Sequence, residues 1–513
     1  MLIRSRHRHG RWRHRPVAPP ALAVLLLALP LTSVDASDAG GLPRVAADTT
    51  AASPPAPPPP AADTPRNYYV RARGYRVVPD TDPPRYVPKD ITKQGIPFLE
   101  NADWLDFGVE SRTRFEYREN NLLDTPQTDP GKDYPVLLRN RFFFGVKKVL
   151  DPFRFAVEFQ DSRWENSLEE NTNRQVNERE PIQLYGELHF DDAFATGKQL
   201  YVRAGRMAFE LVDRRLIANN EFRNTTNNFQ GIRVHYGQQN EPWELDLLWM
   251  QPIDRLMYQW DKPVRGLWLY GGTLSWRQWS QYATVQPYWF GLTQNTTEKN
   301  PDPDDTYSIQ TTGVRAYGIV GQTGWDWDAN LVYQFGDWKN DQTQNAWASA
   351  LEVGYTVEDW SWRPRLSGFF AYGSGDRNPN DGSNNNFNAL YGFNQPWSRN
   401  DYFSWDNAIQ PKARIEMAPR KNILIDMGYG AFWLASSRAP WARANLSDPS
   451  GQAGNWLGTE YDFRIRYRVW ERILLECSYA RFNTGTFTKE TGKPLDSNFF
   501  YFQLTMSPFG WKS

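Results

Sequence analysis

From Leu105 onward the chain alternates apolar with polar residues in repeated stretches, each followed by a connection. The connections alternate in length. Gly237 to Glu241 is short and Gln251 to Arg265 long; Arg277 to Gln281 is short and Gly291 to Thr311 long; Val357 to Arg363 is short and Ser374 to Ile409 long. Tight periplasmic turns at one rim and large extracellular loops at the other are the rhythm of a transmembrane β-barrel. The pattern predicts eighteen strands, over 104–117, 136–147, 153–163, 181–190, 199–206, 228–236, 242–250, 266–276, 282–290, 312–320, 326–335, 348–356, 364–373, 410–417, 423–432, 457–469, 473–482 and 498–507. Strand ends read from sequence shift by a few residues, so sixteen is the neighbouring even count. An even number returns both ends of the barrel to the periplasmic side.

Alternation alone says only that one face of a strand differs from the other. From Tyr461 to Trp470 one face carries Tyr461, Phe463, Ile465, Tyr467 and Val469, and the other Asp462, Arg464, Arg466 and Arg468. Phe153, Phe155, Val157 and Phe159 share a face in the third strand. A soluble sandwich buries such faces too, but it normally needs Greek-key crossings. Meander connections of alternating length do not supply them. The expected class is all-β, a transmembrane antiparallel barrel of about 18 strands. No stretch in it has the ~20 apolar residues of a spanning helix, so the crossing is by strands.

The first hundred residues are different material. Six arginines within Met1–Arg15, an apolar run from Ala21 to Leu29, and small residues at Val34 and Ala36 predict a secretory signal peptide over 1–36. Residues 37–98 follow, mostly Ala and Pro from Thr49 to Pro65, and predict an extended, disordered linker. Arg71, Arg73, Arg76, Arg85, Lys89 and Lys93 make its second half basic, which also suits a periplasmic docking arm. The barrel domain then covers 99–513. Of 58 basic and 59 acidic residues, the first 36 positions hold six Arg and one Asp, leaving 52 and 58 and a net charge of −6. That balance gives no sign of nucleic-acid binding. The single cysteine, Cys477, permits no internal disulfide and falls at an outward strand position. Aromatic residues make up 15% of the chain, as girdles at two lipid interfaces would use.

The inward face carries the candidate chemistry. Strand one contributes Glu110, Arg112, Arg114 and Glu116, strand two Arg139 and Arg141, and strand three Arg154 and Glu158. Arg203, Arg233, Arg315, Arg365 and Arg414 follow, then Arg464, Arg466 and Arg468 facing Glu476. Arginine is always charged and its planar fork grips carboxylates in pairs. A row of such sites passes an anion along if each holds weakly enough to release it. The same residues also suit Arg–Glu ladders that brace the wall, and the pattern does not separate the two. The expected path is Arg112, Arg114, Arg141, Arg233, Arg464, Arg466 and Arg468, with Glu116 and Glu158 setting release and wall geometry. A wide, wet pore would attract an anion along it without trapping it, and the sequence leaves the pore diameter open. Arg206 opens the loop after strand five, whose Arg214 and Arg215 are placed to fold inward and narrow the passage.

Catalysis has little support. There is no P-loop, no HExxH and no metal-spaced Cys/His cluster, and no cofactor or metal is expected. The two histidines beyond the signal peptide, His189 and His235, are predicted inward and bonded to the wall. Asp376, Asn380, Asp381 and Gly382 have the composition of a calcium loop without its spacing, and read as a polar turn with Asx capping.

Several segments in fixed order complete the reading: Glu110 to Tyr117, Val157 to Arg163, Arg203 to Arg206 with Asp213 to Ile217, Phe229 to Arg233, Ser374 to Tyr391, Gly458 to Glu460 and Phe482 to Gly485. In these the chain resembles the alginate-export family of outer-membrane porins, over roughly residues 105–507. The resemblance implies a monomeric eighteen-stranded barrel in the bacterial outer membrane, passing an anionic, uronate-type polysaccharide through an arginine-rich constriction. It also implies periplasmic polysaccharide-synthesis proteins as partners. Val469 to Arg472 leaves room only for a tight turn, where a long periplasmic turn is known in the family. The expected function is a passive export conduit. The alternatives are an uptake porin for small anions or sugars, and a surface enzyme acting on uronates through His189 or His235.

Overall fold

In the first strand, Asp106, Gly108, Glu110, Arg112, Arg114 and Glu116 are buried, while Thr113 and Phe115 between them are exposed. The charged face therefore points into the protein and the apolar face out of it, the inverse of a water-soluble sheet and the requirement of a barrel in lipid. This computed structural model describes residues 101–508 apart from 125–130, 239–240, 278–279, 281, 298–300, 321–322 and 471. The signal peptide and linker expected over 1–98 lie outside the described residues.

Eighteen long strands form one antiparallel sheet. They are β1 (Leu105–Glu119), β2 (Val136–Val146), β3 (Phe153–Glu165), β4 (Asn177–Ala193), β5 (Lys198–Met207) and β6 (Phe229–Tyr236). Next come β7 (Trp243–Asp254), β8 (Leu267–Trp276), β9 (Thr284–Gln294), β10 (Tyr307–Ile319), β11 (Trp325–Trp338) and β12 (Gln342–Thr356). The last are β13 (Arg365–Gly373), β14 (Ala408–Arg420), β15 (Ile423–Trp433), β16 (Trp456–Trp470), β17 (Ile473–Thr484) and β18 (Ser497–Met506). Each pairs with the next, and β18 closes on β1 from Ser111↔Met506 to Glu119↔Asn498. Closure leaves no unpaired sheet edge.

The outer surface is a band of exposed Phe155, Leu184, Ile232, Leu331, Leu351, Phe370 and Phe502. A contiguous apolar surface of this kind needs a non-aqueous solvent. Aromatic pairs flank it. At the long-loop rim ring centroids lie 5.4 Å apart in Tyr117–Tyr134, 5.2 Å in Tyr307–Trp338 and 4.5 Å in Trp433–Trp456. At the short-turn rim they are 5.2 Å in Tyr236–Trp243 and 4.9 Å in Trp325–Tyr355. These are interfacial girdles.

Two differences from the sequence reading have physical causes. The β11–β12 connection is only 339–341, at the rim where long loops were expected, because both strands run on to Trp338 and Gln342. Thr343, Gln344 and Asn345 extend that hairpin with polar residues on both faces, so alternation stops marking the strand there. The second difference is larger. The lumen is not a wide, wet pore. Loops 208–228, 374–407 and 434–455 fold into it and build an apolar core around Phe209, Ile217, Phe387, Trp397, Trp405 and Trp441. Loop aromatics carry no periodicity that would announce their burial.

Candidate functional site

Loop 208–228 leaves β5, turns back through a Leu211↔Ile217 bridge, and joins loop 374–407 in mid-lumen. Tyr391 N–H donates to Leu216 O at 2.8 Å, Ala218 N–H to Tyr391 O at 3.0 Å, and Phe393 N–H to Arg214 O at 2.7 Å. Gly392 is needed here, since any Cβ would collide with the Arg215 carbonyl. The turn is strained. Val212 sits at φ 58°, an outlier for a β-branched residue, and its carbonyl accepts from Arg315 at 3.0 Å. Arg214 and Arg215 are both buried, Arg214 pairing with Glu210. Arg215 pairs with Asp213, lies 3.7 Å from Asp328, and packs among Phe369, Trp397 and Trp405.

The returning limb, Glu221 to Asn228, lies along the β1–β2 wall, and the arginines of those strands grip it. Arg112 donates to the carbonyls of Glu221 (2.8 Å) and Arg223 (3.1 Å) and to Asn224 Oδ1 (3.0 Å). Arg114 donates to Phe222 O at 2.7 Å while pairing with Glu116 at 2.7 Å. The Glu221 carboxylate is held by two guanidiniums, Arg139 at 2.6 Å and Arg141 at 2.7 Å. Glu221 is 27% exposed, whereas Arg139 and Arg141 are 2% and 1% exposed. Asn224 pegs the limb down, donating to Leu138, Arg163 and Gln175 carbonyls.

The remaining expected residues are distributed around the wall. Arg233 pairs with Asp246 at 2.7 Å, and Asp246 also takes His235 Nδ1 at 2.9 Å. Arg206 pairs with Glu180 and donates to Asp261 O at 3.0 Å, tying β5 to loop 255–266. Glu158 accepts from Gln183. Arg464 pairs with Asp426 at 2.9 Å, Arg466 is buried beside it, and Arg468 sits at the short-turn end. Closure brings the two arginine groups toward each other: Arg114 lies 5.7 Å from the Tyr501 ring, Tyr501 donates to Glu476, and Glu476 is 4.0 Å from Arg464. His189 bonds Glu187 at 2.8 Å and Asp191 at 3.1 Å, and His235 Nε2 bonds Gly237 O at 3.0 Å, so both rings are tied to the wall. Asp376 and Asp381 accept from Asn378 and Ser383 N–H groups as turn caps.

Three features were missed by sequence reasoning. Arg365 holds three acids at once, Asp326 (2.6 Å), Glu416 (2.7 Å) and Glu352 (3.0 Å). Arg399 reaches from loop 374–407 to Asp426 at 2.7 Å. Glu221 was hidden in a polar Asn-rich run, Asn219 to Asn228, whose dense hydrogen-bonding capacity was the available signal. By contrast Arg414, facing the lumen and 8% exposed, has no hydrogen bond or ion pair among the described residues. Between the loop tip and the β18–β1 wall lies a cavity of about 310 Å³ whose lining includes Arg114, Arg174, Phe222, Arg223, Tyr402 and Phe499.

Comparison with known proteins places this arrangement. The profile of the alginate-export family matches residues 103–502. No curated protein matches the sequence. Among solved structures, Acinetobacter baumannii OccAB3 aligns with a TM-score of 0.52 at 11% identity, covering 78% of this chain and 99% of its own. Pseudomonas aeruginosa OccK10 (OpdN) aligns at 0.51 and 12%, covering 79% and 99%. The outer membrane protein OprD of Pseudomonas aeruginosa aligns at 0.50 and 10%, covering 78% and 93%. At these identities the likeness is one of fold.

Proposed function

The chain belongs to the alginate-export family and is an eighteen-stranded barrel of the bacterial outer membrane, and from this premise we propose that it is a passive conduit for an anionic, uronate-type polysaccharide. The observation that carries the substrate class is Glu221. The lumen already seats a carboxylate of its own chain between Arg139 and Arg141. A uronate carboxylate has the same charge and the same pair of acceptor oxygens, so it competes for that seat. Displacing Glu221 loosens the loop tip, which Arg112 and Arg114 still hold by its carbonyls. Glu110, 2.9 Å from Arg139, and Glu116 on Arg114 keep each site from trapping the polymer. Arg414 offers a further cation beyond the loop. Polymer synthesis or a concentration gradient supplies the drive.

Uptake of small anions is the second reading, favoured by a cavity of about 310 Å³, at the lower end of the ~300–1,000 Å³ of small-molecule clefts. Proteoliposomes loaded with a trigalacturonate, a neutral trisaccharide of similar size and monomeric galacturonate separate the readings. The conduit predicts faster efflux of the trigalacturonate, and faster still from Glu221→Gln vesicles. Equal efflux of the two sugars would remove the anionic substrate, and efflux of galacturonate alone would favour small-anion uptake.

A further inference from the structure

Four loops bring arginines together at the extracellular mouth: Arg174 from loop 166–176, Arg223 from loop 208–228, Arg255 from loop 255–266 and Arg443 from loop 434–455. Arg223 and Arg255 donate to one and the same neutral oxygen, Asn227 Oδ1, the second at 2.7 Å. Two guanidiniums on a single amide oxygen stand close enough to repel each other, and the shared acceptor carries no charge to offset them. Arg174 adds a third guanidinium that makes no hydrogen bond or ion pair among the described residues. Arg443 is neutralised by Asp401 at 2.6 Å. Burial, then the charges of Arg255 and Arg174, act against the Arg223 cation, holding its pKa well below the usual arginine value.

Arg174 and Arg223 line the cavity, and aromatic side chains share that lining. Phe222 and Tyr402 are next to them in the wall, with Trp164 and Phe499. Most acids of the same wall are engaged: Glu116 by Arg114 and Arg118, Glu169 by Arg118 at 3.5 Å, and Asp124 by Asn121 at 2.7 Å. Glu170 is exposed at its margin.

We propose that Arg223, Arg255 and Arg174 form an exit-side site for the carboxylate of an acidic sugar, whose ring rests on the aromatic lining of the cavity. A planar carboxylate takes bidentate donation from Arg223 and relieves its repulsion with Arg255, while a pyranose face suits Phe222 and Tyr402. Arg223 lies two residues beyond Glu221 on the same limb, so lifting Glu221 out of its seat also moves the exit site. The inference rests on the uronate reading of the preceding subsection.

Isothermal titration of the full protein in detergent tests it, with trigalacturonate, its uncharged methyl ester and inorganic phosphate as probes. Arg223→Gln combined with Arg255→Gln should weaken trigalacturonate binding about tenfold or more, by losing charge-assisted bonds. Retained heat-modifiable gel mobility shows that the variant is folded, and Arg223→Lys, which keeps charge but not the fork, should lie between. Equal trigalacturonate affinity in wild type and the folded double variant would overturn the site. Equal affinity of wild type for trigalacturonate and its methyl ester would overturn the uronate reading instead. Phosphate binding tighter than trigalacturonate would overturn the sugar assignment.

Discussion

Replacing Glu221 by Gln removes one charge while keeping the side chain's size and one acceptor oxygen. In the native protein that charge lies 2.6 Å from Arg139 and 2.7 Å from Arg141. The gross attraction of each pair is ~4 kcal/mol at an effective dielectric of 20. Much of this is offset by desolvation and by the 27% exposure of Glu221. Gln offers one acceptor oxygen to two guanidiniums, so the seated loop tip loses one charge-assisted hydrogen bond, worth ~1.5–3 kcal/mol net. That shifts the ratio of seated to released tip roughly 10- to 150-fold. The arginines are not stranded, because Arg139 keeps Glu110 at 2.9 Å and Arg141 keeps Gln160 at 2.6 Å. The barrel should therefore stay folded while the tip loosens. Single-channel recording in potassium chloride should show more frequent or larger openings and a stronger anion preference. A folded Glu221→Gln protein with wild-type conductance, open probability and selectivity would refute this role for Glu221.

Arg365→Gln should be the most damaging change in the wall. It leaves Asp326, Glu352 and Glu416 buried together without their shared cation, at a cost of ~3–5 kcal/mol, readable as a lowered urea midpoint. Leu331→Arg puts a charge on the lipid face in the middle of β11, where Leu331 is 60% exposed, and should destabilise by ~2–4 kcal/mol in bilayers. Unchanged stability of the Leu331→Arg protein in bilayers would count against a lipid-facing position. Arg414→Ala breaks no hydrogen bond or ion pair of the described residues, so the barrel should stay folded while anion selectivity in reversal-potential measurements falls.

Faces were legible in the sequence and partners were not. The charged alternation of Asp462, Arg464 and Arg466 against Tyr461, Phe463, Ile465 and Tyr467 appears in β16 as a buried inner face and an outward one, because lipid imposes the contrast on every second residue. Where strands rise above the lipid that contrast vanishes, which is why the β11–β12 hairpin is longer than the sequence suggested. Arg365 was readable as inward, but Asp326, Glu352 and Glu416 belong to β11, β12 and β14, and only register brings them to it. Register follows from pairing geometry rather than from any one strand's composition. The lumen plug was least legible of all. Trp397, Phe403 and Trp405 sit in a loop without period, and their burial depends on loop 208–228 meeting them there. Glu221 likewise gains meaning only when Arg139 and Arg141 of β2 stand opposite it.

The central claim is that this lumen conducts carboxylate-bearing sugars along an arginine wall. Planar-bilayer recording with trigalacturonate added to one side tests it most directly, comparing wild type with the folded Arg139→Gln, Arg141→Gln variant. The account predicts anion-selective current, block by trigalacturonate but not by its methyl ester, and block weakened in the variant. Current without anion preference, blocked equally by both sugars, would contradict it.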